Sequence, residues 1–400
     1  MFLTVMTISE ALGALAPTRR SAIASVPPAL GVVPATDVLS GERLPGWARA
    51  TVDGYAVRAA DTYAAAETLP AFLELTGAVT MGRAPDGEVT PGTAMAIPTG
   101  GLIPRGADAV VMVEHTTEPM PGHVELMRGV APGDGVLQPG EEAEPGAILA
   151  PAGRPLRAAD LGLLAAAGVT SLSAHVRPRV GIVSTGDEVV PASTRTLAAG
   201  QVRDACAPAL AGLVREAGGE PVLRGIVPDD ANALEQALGQ SVAQDDVVVV
   251  SAGSSVGARD LTATVAGRLG EIVCHGLALK PGKPTLLADC AGVPLIGLPG
   301  NPRSALVVFR LVGVPLVRTV AGITAPPPAA VVRATLARDV PSAAGRLDVV
   351  QASVRDGVAT PRFGSSALLG PIVHADGFFR VPEAATGLGA GTEVDVELYG

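Results

Sequence analysis

Lysine is almost missing: Lys280 and Lys283 are the only two in 400 residues, against 27 arginines. Arginine serves wherever else a cation is wanted, so two lysines kept three positions apart in Leu279-Lys280-Pro281-Gly282-Lys283-Pro284 suggest a need for compact ammonium charge, with chance retention as the alternative. Cysteine is scarce too. Cys206, Cys274 and Cys290 are odd in number and lack metal-ligand spacing, which excludes a disulfide framework and fits reduced thiols. Hydrophobic residues make up 48% of the chain, which excludes disorder, yet no apolar run approaches the roughly 20 residues of a bilayer span. No basic residue precedes Arg19 and no cleavable apolar leader follows, so the expected compartment is the cytoplasm, with no membrane partner. A basic surplus is also lacking: the net charge is -10 and the arginines are scattered, which leaves no footprint for nucleic acid.

At this length more than one domain is expected, since single cores seldom grow beyond roughly 250 residues. Residues 8–25 carry helical apolar spacing with Ser9 as a candidate cap, and one helix is expected there. Short apolar runs at 72–76, 94–97, 109–113 and 123–126, separated by Gly and Pro, read as a small β-domain. Helical periodicity returns over 156–167 and stops at Gly168, so this helix is expected to pack with the first and the β-domain to be an insertion. From Arg179 the pattern alternates strand, turn and helix, which implies a parallel sheet covered by helices. The runs 247–250 and 295–298 are apolar throughout, as strands buried on both faces should be. A Pro-rich linker at 326–328 leads to a last set of short β runs.

Chemistry gathers in the loops of the α/β region. Thr185, Gly186, Asp187 and Glu188 follow one strand, and Gly253, Ser254, Ser255 and Gly257 follow another, where open sheets bind ligands. Glycine admits close approach of phosphate and the serines add donors, although Gly-Ser turns are also ordinary connectors. Asp187, Glu188 and Asp260 suit Mg2+ bridging a phosphate ester; helix capping is an equal reading of Asp260. Lys280 and Lys283 on one rigid turn, and Pro299, Gly300, Asn301 and Ser304 on another, suit a ligand with several negative groups. Asp53-Gly54 and Gly140-Glu141-Glu142, read alone, are turns.

In order along the chain, Leu44-Pro45, Asp53-Gly54-Tyr55-Ala56-Val57-Arg58, Thr99-Gly100, Gly106-Ala107-Asp108-Ala109-Val110-Val111, Ser184-Thr185-Gly186-Asp187-Glu188, the 257–260 loop, Lys280-Pro281-Gly282-Lys283-Pro284 and Gly297-Leu298-Pro299-Gly300-Asn301-Pro302 resemble the molybdopterin molybdenumtransferases, the MoeA-type proteins similar to the E domain of gephyrin. The resemblance covers nearly the whole chain. It implies a multidomain α/β protein with a MogA-like molybdopterin-binding domain at residues 174–322. Residues 1–46 and 137–173 would form a helical dimerisation part, 47–136 an inserted β-domain, and 323–400 a C-terminal β-barrel. It implies a homodimer in which Asp53 of one copy approaches the α/β loops of the other. The implied substrates are adenylylated molybdopterin, with its phosphates on the Gly/Ser and Lys loops, and molybdate; Mg2+ positions the pyrophosphate and AMP is released. Asp53, Glu142, Asp204 and Asp260 match the catalytic acids. A molybdopterin adenylyltransferase and molybdoenzymes are the implied protein partners.

Several positions depart from the family pattern. Ser-Ala-Met becomes Ala50-Thr51-Val52, Gly-Glu-Asp becomes Gly140-Glu141-Glu142, Asp-Ser-Asn becomes Asp204-Ala205-Cys206, and Ser-Gly-Gly-Val-Ser becomes Ser251-Ala252-Gly253-Ser254-Ser255. Phosphate-binding parts are thus kept better than insertion parts. These departures set a pterin-binding or scaffold paralogue beside insertase activity, and a third reading is ATP-dependent adenylylation of molybdopterin, because the resemblance implies that this activity uses a related α/β domain.

Overall fold

The computed structural model describes residues 5–15, 17, 20–251 and 256–399, with backbone alone for 256–259. Its first helix, α1 (Ile8–Leu15), is shorter than the apolar spacing predicts. Pro17 follows closely, and proline removes a backbone donor and disfavours helical backbone before it. At the far end of the expected span the described backbone is instead a strand, Ile23–Val26, paired antiparallel with Leu172–His175. Thr7 rather than Ser9 closes the N-terminus of α1: its hydroxyl accepts from Glu10 N while Glu10 Oε2 accepts from Thr7 N. Ala11 and Leu15 of α1 enter the core of the α/β layer. The helix expected after the β-domain is α2 (Ala158–Ala166).

Two compact units result: Met1–Thr36, Ala152–Arg157 and Ser171–Gly400 form one, and Asp37–Pro151 with Ala158–Thr170 the other. In the second unit, β1 (Gly54–Val57), β2 (Ala71–Ala78), β3 (Thr93–Ile97), β4 (Ala109–Met112), β5 (Thr116–Met120) and β6 (His123–Leu126) make one sheet in the order β4-β1-β3-β2-β6-β5. Tyr55, Val57, Leu73, Val111 and Leu126 form its main core. Helix α2 ends where Gly168 takes φ +68°, as the sequence predicts.

In the first unit, β7 (Arg179–Thr185), β8 (Glu220–Val227), β9 (Val247–Ser251), β10 (Glu271–His275), β11 (Leu286–Cys290) and β12 (Val293–Leu298) form a sheet in the order β8-β7-β9-β12-β11-β10. The first four strands are parallel and the last two add antiparallel. Val247 and Val249 face one core, together with α3 (Cys206–Glu216), while Val248 and Val250 face the other, with α4 (Ala231–Gln244) and α5 (Val256–Leu269). All four valines are fully buried, each worth about 1.5–3 kcal/mol before the entropy of ordering is counted. Asp230 caps α4 by accepting from Asn232 N and Ala233 N. After β12 come α6 (Pro302–Val308), a π-helical turn (Phe309–Gly313) and α7 (Val314–Val320).

The C-terminal strands are β13 (Val331–Leu336), β14 (Leu347–Arg355), β15 (Val358–Arg362), β16 (Gly377–Val381) and β17 (Glu393–Leu398). Their order β14-β15-β13-β17-β16 closes through a β14–β16 pairing into a five-stranded barrel. A short strand, Leu279–Lys280, runs parallel to the start of β14, Leu279 opposite Leu347 and Lys280 opposite Asp348. The lysine turn is thereby anchored on the barrel.

Candidate functional site

Register places three loops side by side. Ser184 on β7 pairs with Ser251 on β9, and Ser251 with Leu298 on β12, so the segments that leave these strands start from one row at their carboxyl ends. The Gly253, Ser254 and Ser255 expected to grip phosphate lie outside the described residues, and Gly257 is described only as backbone in the first turn of α5.

Two cavities flank the turn after β12, and Asn301 lines both. The larger, of about 520 Å3, is walled by Lys280, Lys283, Arg303, Ser304, Arg346 and Ser366, with Pro299 at its edge. The other, of about 440 Å3, is bounded by Thr185, Glu188, Asp204, Ser251 and Gly300. One is thus rich in cations and the other in acids and hydroxyls.

The two lysines do different work. Lys280 Nζ lies 3.0 Å from Asp348 Oδ2, and Arg346 Nε lies 3.0 Å from Asp348 Oδ1, so one buried carboxylate fixes both cations. Lys283 is exposed and has no side-chain partner among the described residues, which leaves its ammonium free for a ligand. Gly282 between them has φ +127°, and a Cβ there would come within 2.4 Å of Val308 Cγ2, so the turn admits only glycine without rearrangement. Asn301 Nδ2 donates to Ser366 Oγ at 2.9 Å, which ties the Pro-Gly turn to the barrel segment.

On the acid side, Asp204 is fully engaged. Its Oδ2 accepts from Ser184 Oγ at 2.6 Å and its Oδ1 from Cys206 N and Ala207 N, both at 3.0 Å, so it closes the N-terminus of α3 and pins β7. Gly186 has φ +137°, with Glu188 Oε2 2.8 Å from where a Cβ would stand; its lack of a side chain makes room for that carboxylate. Asp187 Oδ1 accepts from Asp229 N at 3.2 Å. Burial pushes the Asp229 carboxyl up, and Asp187 and Glu188 add to the shift.

Asp187, Glu188 and Asp260, the predicted metal set, are not brought together: among the described residues no group of three or more His, Cys, Asp or Glu could hold a metal ion. Asp260 is exposed and sits in the second turn of α5, which begins at Val256, so it is not the helix cap either. Asp53 and Glu142 belong to the second unit and are both exposed. Thr99 N donates to Asp53 Oδ1 at 2.7 Å and holds that carboxyl below its usual range. Gly54 opens a strand rather than filling a free turn, because a Cβ would stand 1.9 Å from Val111 O.

Sequence reasoning missed Arg303, Arg346, Asp348 and Ser366 as site residues. A usable signal existed for Asp348: it interrupts the otherwise apolar start of β14 and is buried.

Family models match in series: the MoeA N-terminal region (domain I and II) over residues 6–168, a probable molybdopterin binding domain over 181–319, and the MoeA C-terminal region (domain IV) over 333–399. The molybdopterin molybdenumtransferase of Nostoc sp. is 36% identical over 297 residues, covering 73% of this chain and 68% of that protein. Molybdopterin molybdenumtransferase 1 of Mycobacterium tuberculosis is 31% identical over 395 residues, covering 92% of each. A crystal structure of the molybdopterin biosynthesis MoeA protein from Pyrococcus horikoshii OT3 superposes with a TM-score of 0.87 at 29% identity, over 99% of this chain and 100% of that one. Given this agreement in sequence, in domain order and in fold, the chain belongs to the MoeA family of molybdopterin molybdenumtransferases.

Proposed function

We propose that the chain inserts molybdate into adenylylated molybdopterin and releases AMP, with Mg2+ assisting. The observation that carries this reading is the meeting of a cation-lined and a carboxylate-lined cavity at one rigid turn, Asn301 lining both. A ligand with an oxyanion at one end and phosphates along its length matches such a pair. The names of the relatives point to the same substrate class.

Each group has a task. Lys283, Arg303 and the Ser304 hydroxyl hold molybdate, since carboxylates repel it. Joining molybdate to a dithiolene replaces one oxo group by two sulfurs, and the oxo leaves as water after taking up two protons. Water then attacks the phosphoanhydride, the bond to the adenylyl phosphorus breaks, and AMP departs. Asp53, Glu142 and Asp260 are assigned to water binding and proton transfer, and Asp204 to positioning Ser184 and α3. Asp187 and Glu188 would hold Mg2+, which needs only one or two carboxylates when it is shared with a phosphate substrate and would there offset phosphate charge. Burial raises the Asp229 carboxyl first, and the nearby Asp187 and Glu188 add to the shift; a divalent cation would offset the charge of those two acids. The reading includes a cytoplasmic homodimer, the four domains delimited from the sequence, and Asp53 and Glu142 supplied by the second copy.

Incubation with adenylylated molybdopterin, molybdate and Mg2+ should yield AMP and active cofactor. Lys283→Ala should weaken substrate binding, and Asp260→Ala should mainly lower turnover. Absence of AMP under saturating conditions overturns the insertase reading. Tight pterin binding without AMP would favour a scaffold role, which Asp204's engaged carboxylate recommends as the second reading. Pyrophosphate from ATP would indicate adenylylation instead.

A further inference from the structure

Beside the cation-lined cavity lies a smaller one of about 180 Å3, which shares Lys280, Arg303 and Gly364 with it and is bounded on the barrel side by Gln351 and Arg362. Its charges do not balance. Asp348 is the only acid among the described residues that line it, and both its oxygens are taken by Lys280 and Arg346. Arg303 and Arg362 have no carboxylate partner among the described residues. Arg303 donates one nitrogen to Gly364 O at 2.6 Å, but its Nε is buried without an acceptor, and burial pulls its guanidinium below the usual range. Arg362 Nε donates to Ser353 Oγ and the side chain is otherwise exposed. Gln351, almost fully buried on β14, also has an Nε2 with no hydrogen-bond partner.

A partly buried cation without a counter-ion is costly, and an unused buried donor adds to that cost. Arg303 is such a cation, and Arg362, exposed on the same small cavity, adds a second guanidinium without a carboxylate partner among the described residues, so a single dianion would satisfy both. Arginine forks match planar pairs of oxygens, and a tetrahedral oxyanion offers such a pair to each fork. We propose that this pocket is a second oxyanion subsite, which takes a tetrahedral dianion next to the one held at Lys283. The inference goes beyond insertase activity, because it concerns binding of the oxyanion alone and holds whether or not AMP is ever released. Two sources share this chemistry: a free oxyanion such as molybdate, and the phosphomonoester end of a ligand that extends from the larger cavity.

Calorimetric titration of the full chain with molybdate or tungstate, without pterin, tests it. Two oxyanion equivalents per chain are expected, with one left in Lys283→Ala and one in Arg362→Gln. Loss of the Arg362 charge-assisted hydrogen bonds should weaken the second equivalent by about tenfold or more, and Arg362→Lys, which keeps the charge, should restore part of it. Competition separates the sources: phenyl phosphate that displaces only the second equivalent identifies a phosphomonoester end, and molybdate that resists both phenyl phosphate and inorganic phosphate identifies a free oxyanion. A single equivalent in the unaltered chain, or a second one indifferent to Arg362→Gln in a protein of unchanged melting temperature, overturns the proposal. Tungstate soaked into crystals needs no variant: an anomalous peak within hydrogen-bond distance of Arg303 and Arg362 is expected, and its absence there overturns the subsite.

Discussion

Single residues gain their roles here from partners far along the chain. Lys280 and Lys283 look equivalent in the sequence, but Lys280's ammonium meets a carboxylate 68 positions away while Lys283's does not. The rarity of lysine made the turn legible; the division of labour between the two lysines was not, because Asp348 sits on another element. Asp204 shows the same limit, since three hydrogen bonds on its carboxylate depend on how β7 and α3 meet. Asp229 provides a test at this scale. Its Oδ1 is buried without a partner, and burial first, then Asp187 and Glu188, raise its carboxyl above the ordinary value of 3.8. A carboxyl whose folded pKa is raised costs stability once pH exceeds that pKa, and the cost vanishes below the unfolded value, where both states are protonated. Asp229→Asn should therefore raise the melting temperature at neutral pH, by an amount that shrinks as pH falls toward 3.8. A gain of equal size at low and neutral pH would refute the electrostatic account, and Mg2+ should reduce the gain by neutralising the same acids.

Elements were read well where apolar period and flanking residues agreed, and badly where a proline intervened. The valine run at 247–250 became a central strand because both its faces are covered, as continuous hydrophobicity requires. The helix expected over residues 8–25 spans only Ile8–Leu15, ahead of Pro17, and Ile23–Val26 pairs as a strand. Barrel closure was legible only through the family resemblance, because the β14–β16 pairing depends on register between distant strands rather than on local pattern. Gly54 shows an element dictating a residue. It pairs with Met112 across β1 and β4, and the strands approach so closely that a Cβ would stand 1.9 Å from Val111 O and 2.9 Å from Val111 C. Backbone cannot yield as a flexible side chain can. Gly54→Ala should thus destabilise the β-sheet by about 3 kcal/mol or more, and, because Asp53 precedes it, should also displace that carboxylate from Thr99 N. Urea denaturation of the variant measures the first effect; an unchanged midpoint would show that β1 and β4 can part at little cost.

At the scale of the whole molecule, two compact units share one chain that crosses between them several times. The cation-lined cavity is confined to the unit that holds the α/β layer and the barrel, while Asp53 and Glu142 reside in the other. Units with separate cores melt together only if the contacts between them are strong; otherwise each unfolds in its own transition and a single unfolding free energy has no meaning. Calorimetry should therefore resolve two transitions. An oxyanion that binds the folded cavity stabilises by mass action, by about 2.7 kcal/mol at a hundred times its dissociation constant, and that shift belongs only to the unit that holds the cavity. Molybdate should raise one transition and leave the other in place, and Lys283→Ala should reduce the shift without moving either transition in the absence of ligand. If both transitions rise together with molybdate, the two units form a single cooperative body, and binding at the lysine turn is felt at Asp53 through the protein itself.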